Sequence, residues 1–536
     1  MRTKLILGCF ACLVLAATAA KAETDIIPKP VSVTEMAGEP FRLKNGTTIA
    51  INDARLHGPA TYLQEVLTRA TGLRIKVKSG TGRIELRLTE PDEQDESYEL
   101  TADSRRIRIT AHSTRGIICG IATLRQLLPP EIERLTPTEG MEWTVQPVCI
   151  KDRPQFHWRG LMLDPVRHFY SVEDTKRLLD QMAVYKFNKF HWHLTDSQAS
   201  RIEIKAYPKL TDEGAWHPYN HLDRGCMERA GKENNPDLLI PRKYIRETAD
   251  GKELYGGYYT QQEIREVVEY AAQRGIDVVP ELDMPGHNHI ACQCYPWLSC
   301  KGDGNDPLCL GKETTIEYAE KVYAEVFQLF PYEYVSIGGD EVNRTRWTQC
   351  TDCQKRIQTE GLRDVSELQA WFTKHMERYF NAHGRKILGW DEILEGGLSK
   401  TATVHWWRGD HPDVTQRATE MGNEVVLCPF TFCYFDYAQT DQTLQALYEG
   451  DIVPTDLSPQ QLRLVKGMQA NIWGEWIPTV ERMNWQVFPR ALALAEKAWT
   501  PRAEQQWDEF LPRLQKHLPR LTEMGIHYRP LKTNRP

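Results

Sequence analysis

From His157 onward, eight short β-rich runs alternate with longer segments of helical spacing, and nothing else in the 536-residue chain restricts its fold so tightly. The runs are Trp158 to Pro165, Lys189 to Asp196, Asp277 to Pro285, Tyr334 to Glu341, Lys386 to Glu392, Thr403 to Trp407, Glu424 to Pro429 and Gly467 to Gly474. Helical periodicity marks Val172 to Phe187, Thr260 to Arg274, Thr314 to Phe330, Ser366 to Ala382 and Gln486 to Trp499, between or after them. Strands separated by helices must run parallel, with the helices outside, so eight such units over about 350 residues predict an α/β fold of the TIM (β/α)8 barrel type. The barrel is placed at residues 151–505, with a C-terminal helical tail at 506–536. Two long loops, Gly214 to Gly257 after the second strand and Cys292 to Cys309 after the third, are expected on the face that shapes a substrate site.

Residues 23–150 read differently. Thr47 to Asn52, Arg83 to Leu88 and Ile107 to Ala111 alternate as strands do, while Ala60 to Thr71 and Ser113 to Leu128 have helical spacing. This predicts a small α+β domain that ends near Pro129-Pro130, Pro147 and Pro154. Before it, Arg2 and Lys4 precede an apolar run from Leu5 to Ala17, and Ala20-Lys21-Ala22 supplies a small-x-small cleavage pattern. A signal peptide over residues 1–22 is expected, with the mature chain exported to periplasm or medium. An apolar run of ~13 residues is too short to span a bilayer, which needs ~20. Cys9 lies too near Lys4 for a lipoprotein signal.

With 66 Lys and Arg against 73 Asp and Glu, and basic pairs scattered, nucleic acid is excluded as a partner. Of the 13 cysteines, Cys9 and Cys12 fall in the leader, which leaves an odd number for an oxidising compartment. Cys350-x-x-Cys353 and the cluster Cys292, Cys294, Cys300 and Cys309 suggest zinc, but zinc sites of four thiolates usually show two CxxC pairs and here there is one. Local disulfides beneath the long loops are therefore expected, and no metal or cofactor.

If the barrel forms, the carboxyl end of every run opens into one bowl. Those ends carry Asp164 with Arg167 and His168; Asp196; Glu281, Asp283 and His287; Asp340-Glu341; Trp390-Asp391-Glu392; Trp406-Trp407-Arg408; Tyr434 with Asp436; and Trp473 with Glu475. Single strand-end acids serve as helix caps and single Trp residues as core, but the recurrence of both around a ring points to a site. The 15 Trp residues suit it to carbohydrate, because their faces stack on sugar rings. In Ile337-Gly338-Gly339-Asp340-Glu341 two glycines let the backbone turn sharply beneath two adjacent carboxylates. Close carboxylates do not both ionise freely, so one can serve as a general acid near neutral pH.

Taken together, these motifs resemble family 20 glycoside hydrolases, the β-N-acetylhexosaminidases. The resemblance rests on His157-Trp158-Arg159-Gly160, Asp164, Arg167-His168-Phe169, Asn188-Lys189-Phe190-His191-Trp192-His193, Asp283-Met284-Pro285-Gly286-His287, Gly338-Gly339-Asp340-Glu341 and Trp473-Gly474-Glu475. It implies exo-removal of terminal β-linked N-acetylglucosamine or N-acetylgalactosamine with retention, the substrate's own acetamido carbonyl acting as nucleophile. By the same resemblance Glu341 is the general acid and base, Asp340 holds the acetamido nitrogen and Tyr434 the acetamido oxygen. Arg167 and Glu475 then grip ring hydroxyls and Asp436 the primary hydroxyl. Trp390, Trp407 and Trp473 wall the subsite, while Asp196 and His287 form a relay behind the acid. The family commonly shows two Asp followed by Gln-Gly-Trp-Arg after the second strand. Here Asp196-Ser197-Gln198-Ala199-Ser200-Arg201 stands, so aglycone preference is not carried over.

Three other readings stay open on the residues alone. Another barrel glycosidase could use Glu281, Glu392 or Glu475 as nucleophile; a non-catalytic glycan-binding protein could share the fold; and a metallohydrolase could use His287 and His289.

Overall fold

A computed structural model describes residues 25–532. The leader expected at residues 1–22 lies outside them. Eight parallel strands close into a barrel: β1 (Trp158–Leu163), β2 (Lys189–Thr195), β3 (Asp277–Leu282), β4 (Tyr334–Ser336), β5 (Lys386–Trp390), β6 (Thr403–Trp406), β7 (Glu424–Leu427) and β8 (Val465–Ile472). Closure runs through β1 and β8, paired from Trp158 with Gly467 to Leu163 with Ile472. All six residues of β1 are buried, because a parallel strand has the barrel interior on one face and helices on the other. Trp158, Val279, Tyr334, Leu388 and Val426 fill the interior as one apolar cluster.

Helix starts are fixed locally. Ser171 and Asp174 form a capping box ahead of Val172–Val184, and Thr260 and Glu263 form another ahead of Gln261–Ala272. The segment from Gly214 to Gly257, expected as a polar loop, is ordered instead. It carries the helix His221–Glu233, capped by Asn220, and a three-stranded antiparallel sheet of Trp216–His217, Glu253–Gly256 and Ile245–Glu247. Its polar composition conceals this because such short strands bury few residues.

The N-terminal part is a seven-stranded sheet with Ile107–Ala111 at its middle, Tyr98–Ala102 and then Val148–Asp152 beside it toward one edge, and the helices His57–Thr71 and Thr114–Leu127. It is bound to the barrel by buried charges. The Arg159 guanidinium donates to both Glu96 oxygens at 2.8 and 2.9 Å, and Lys186 Nζ lies 2.9 Å from Asp152 Oδ2. At the other end of the chain, the helix Trp507–Glu523 places Arg520 3.0 Å from Glu133 of the same small domain. Among the described residues no helix is long and apolar enough to cross a membrane.

Candidate active site

Strand β4 is shorter than its sequence suggests. The chain leaves extended geometry at Gly338, with φ +67°, and continues through Gly339 at +91° to Glu341 at +50°. Gly338 is required twice over: its backbone is left-handed, and an added Cβ would lie 2.2 Å from Asp283 Oδ1. The Gly339 amide donates to that Asp283 oxygen at 3.1 Å, and the Trp390 amide donates to the Gly338 carbonyl at 2.9 Å. The turn is thus held from β3 and β5. Its effect is to give adjacent carboxylates opposite environments: Asp340 is buried, whereas 59% of the Glu341 side chain is exposed. Among the described residues Asp340 Oδ1 has no hydrogen-bond partner, so a buried acceptor faces the bowl unpaired.

His287 sits behind this pair, itself at φ +54°. Its Nε2 is 3.5 Å from Asp340 Oδ2 and 3.7 Å from Glu341 Oε2, and its Nδ1 is 3.2 Å from Asp196 Oδ1. Burial opposes the imidazolium, but Asp196 and Asp283 outweigh it and raise the His287 pKa far above its ordinary value. Burial likewise opposes ionisation of Asp196, yet Arg167 and His287 hold its carboxyl well below the usual range. Asp283 goes the other way, pushed up by burial and by the Asp340 charge. His287 thus stands between Asp196 and the Asp340-Glu341 pair, with its imidazolium form favoured by acidic neighbours.

Beyond Asp196, Arg167 is nearly enclosed. It donates to Asp164 at 3.0 Å, lies 2.7 Å from Asp196 and 3.8 Å from Glu475, and sits 5.2 Å from the Trp473 ring centroid. Asp164 carries this corner, accepting also from the Gly474 amide at 2.9 Å. Burial and the nearby Glu475 push the Asp436 carboxyl up to about 7, and its Oδ1 has no partner among the described residues. Burial, against the pull of Arg167, raises Glu475 too. Tyr434 stands between Trp407, nearly parallel at 6.2 Å, and Trp473, also at 6.2 Å. Burial keeps its phenol well above the ordinary pKa, so the hydroxyl remains a donor.

The bowl therefore brings together Glu341, Asp340, Tyr434, Arg167, Trp407, Trp473, Asp436, Glu475, Asp196 and His287. Trp390, expected with Trp407 and Trp473 to wall an enclosed subsite, is the most buried of the three. It is 1% exposed, and its indole N–H points to Glu281 Oε1 at 3.3 Å, which makes it the floor against which Trp473 packs at 5.8 Å. Glu281 is spent on that floor, bonded to His193 at 2.6 Å and Ser336 at 2.6 Å and lying 2.9 Å from His191. Fully buried and saturated, it makes a poor nucleophile. His289 turns away to bond Gln293, so the proposed pairing with His287 does not form.

Two strand-end acids also reach the site: Glu392, considered above only as a rival nucleophile, and Asp283, given no role of its own. Glu392 accepts from the Trp407 indole at 3.0 Å, and burial beside Asp340 pushes its carboxyl up to about 8. Asp283 packs under Gly338; the adjacency of Asp and Gly-rich turn on neighbouring strands is a signal only once the barrel register is known. The disulfides expected beneath the loops are also corrected, since all eleven described cysteines are free thiols. Cys300, Cys309, Cys350 and Cys353 form one cluster with sulfurs too far apart to be bonded in pairs.

Comparison with known proteins gives concordant results. The model described as glycosyl hydrolase family 20, catalytic domain, matches residues 156–502, and that of domain 2 of the same family matches residues 23–153. A beta-hexosaminidase of Porphyromonas gingivalis is 38% identical over 94% of this chain, which spans 64% of that relative's length. A beta-hexosaminidase of Vibrio furnissii is 34% identical over 88% of this chain and 76% of its own. Among solved structures, the GH20 exo beta-N-acetylglucosaminidase of Vibrio harveyi, in complex with N-acetylglucosamine, superposes with a TM-score of 0.80. It is 32% identical and is matched over 96% of this chain and 79% of its own.

Proposed function

The chain belongs to glycosyl hydrolase family 20, and from that premise we propose that it is an exo-acting β-N-acetylhexosaminidase using its substrate's acetamido carbonyl as nucleophile. The observation that carries this reading is the split environment of the Asp340-Glu341 pair: an accessible acid beside a buried carboxylate with an unpartnered oxygen. Asp340 Oδ1 is suited to accept the acetamido N–H and to offset the positive charge that develops on the oxazolinium. The Tyr434 hydroxyl, kept as a donor, would bond the acetamido oxygen and prevent the group from rotating away. An intramolecular nucleophile so held reaches effective molarities of ~10⁵ M or more.

Glu341 would protonate the departing glycosidic oxygen and then take a proton from the water that opens the oxazolinium. His287, cationic and within reach of both carboxylates, would steady that exchange through Asp196. Arg167, Asp436 and Glu475 would bind hydroxyls of the terminal sugar against Trp407 and Trp473. The relatives' names and the Vibrio harveyi product complex support an N-acetylhexosaminide as substrate. Export of the mature enzyme is part of the same proposal and rests on the leader pattern alone.

The test is the pair of N-acyl substitution and Asp340→Asn. If the acetamide is the nucleophile, successive fluorination of the acetyl group slows kcat/KM steeply, and Asp340→Asn loses most turnover while still binding a thiazoline mimic of the oxazoline. A rate indifferent to fluorination and tolerant of Asp340→Asn would assign the nucleophile elsewhere, with Glu475 then the carboxylate to trap by a 2-fluoro glycoside.

A further inference from the structure

Away from the sugar site, four cysteines from two distant loops converge. Cys309 Sγ lies 3.6 Å from both Cys350 Sγ and Cys353 Sγ, and Cys300 Sγ lies 3.9 Å from Cys353 Sγ. All four sulfurs are mutually within 4.8 Å, and three of the four residues are buried. A disulfide needs sulfurs ~2.05 Å apart in exclusive pairs; here Cys309 is equidistant from two partners. Four thiolates at ~2.3 Å from a central zinc ion would instead stand about 3.8 Å from one another, the edge of a tetrahedron.

The supporting scaffold fits ligation. Cys350 and Cys353 flank the start of the helix Thr351–Thr359, where the helix dipole favours thiolates. The other two lie across a loop closed by the Ser299–Leu308 bridge, by the Cys309 amide on the Leu298 carbonyl at 2.7 Å, and by Ser299 Oγ accepting from the Asp303 and Gly304 amides. The two segments are pressed together: a Cβ on Gly311 would lie 2.1 Å from the Asp352 carbonyl carbon and 2.2 Å from the Cys353 nitrogen. Trp347 reinforces the contact by donating to the Leu308 carbonyl at 2.9 Å.

We propose that Cys300, Cys309, Cys350 and Cys353 bind one structural zinc ion that clamps the loop after β3 to the segment after β4. Each thiol yields its proton to solvent and donates a sulfur lone pair, and no electron is transferred. With four protein ligands the site is closed to water, so its role is positional rather than catalytic. The clamped segments are those that leave the catalytic pair and its relay. Glu341 leads directly into the Thr345–Thr348 turn and the Cys350 helix, and the loop bearing His287 is tied to the Cys300–Cys309 segment by the Asn288 amide on Asp306 at 2.7 Å and the Leu308 amide on the Pro285 carbonyl at 3.0 Å.

The decisive measurement is metal content and thiol state of the full-length enzyme purified without chelator. Elemental analysis should give one zinc per chain, and native mass should exceed the denatured mass by one zinc ion. Titration with a mercurial thiol reagent should release that zinc in step with modification of four thiols. Cys350→Ser combined with Cys353→Ser should lower zinc content at least tenfold and reduce melting temperature. Should that variant fail to fold, the wild-type stoichiometry and release still decide the matter. Zinc-free wild-type enzyme in which peptide mapping finds Cys300, Cys309, Cys350 and Cys353 paired as disulfides, or reduced with no bound metal, would overturn the proposal, as would stoichiometric iron in place of zinc.

Discussion

Glu341 and Asp340 are neighbours in sequence and opposites in setting, and this contrast separates their expected variants. Glu341→Gln removes the proposed proton donor from an accessible position without leaving a buried charge, so it should fold normally. With a natural disaccharide its turnover should fall ~10² to 10⁴-fold, the usual contribution of general acid-base catalysis. Activated aryl glycosides need little protonation and should lose less, so the ratio of the two rates is the measurement. Arg167 is a different case, since it pairs with Asp164 and Asp196 inside the protein. Arg167→Ala should lower kcat/KM roughly ten- to a hundredfold through lost sugar contact. It should also destabilise the fold by about 3–5 kcal/mol, because two carboxylates lose their buried partner. Chemical denaturation alongside kinetics separates the two effects. The pairing with Asp164 is local, but the one with Asp196 is not legible around Arg167 because Asp196 follows a different strand.

At the scale of elements, the eight barrel strands were legible as short β-rich runs between helical segments, mostly apolar as in Leu161–Leu163 and Val425–Leu427, although Lys189–Thr195 alternates Phe190, Trp192 and Leu194 with polar residues. Their ends were legible as well, since the acids and Trp residues stand immediately after the runs. What escaped were features decided by contacts between elements. Trp390 reads like Trp407 in sequence, yet Glu281 from β3 claims its indole and turns it into floor. The small sheet within 214–257 has strands too short to show a period, and the four-cysteine cluster joins loops from two successive strands, invisible to a search for two tidy pairs. The turn after β4 lies between these extremes: its glycines announce a bend, but only the structure shows what fills the space. Gly338→Ala should test that reading. Its Cβ would enter the Asp283 carboxyl group and hold a left-handed backbone that costs an L-residue roughly 1–2 kcal/mol. The expected result is a folded but less stable protein whose kcat drops further than its KM rises, since the turn aims Asp340 and Glu341. Wild-type kcat in Gly338→Ala would mean that the turn does not set the catalytic geometry.

The whole molecule is arranged so that the small N-terminal sheet and the terminal helix are fastened to the side of the barrel by buried ion pairs rather than by a flexible hinge. Arg159 follows Trp158 at the start of β1, is 1% exposed, and donates to both oxygens of Glu96 as well as to the Phe156 and Lys186 carbonyls. Burial opposes ionisation of Glu96, but Arg159 outweighs it and holds the carboxyl at about 2, against an ordinary 4.5. The sign follows from proton binding. The unfolded chain takes up a proton at Glu96 as pH falls through about 4.5, the folded chain not until about 2. The pair therefore contributes its full stability above pH 4.5 and loses it progressively between there and pH 2. Glu96→Gln leaves a neutral group beside a buried guanidinium and should destabilise the protein at pH 7 by about 3–5 kcal/mol. Because the substitution removes the titrating group, the gap between variant and wild type should narrow as the buffer is taken from pH 5 toward pH 2.5. Thermal unfolding at several pH values would measure this, with both parts of the molecule expected to melt in a single transition. A gap that stays constant on acidification would show that Glu96 does not titrate against Arg159, and two separate transitions would show that the small domain is not fixed to the barrel by this contact.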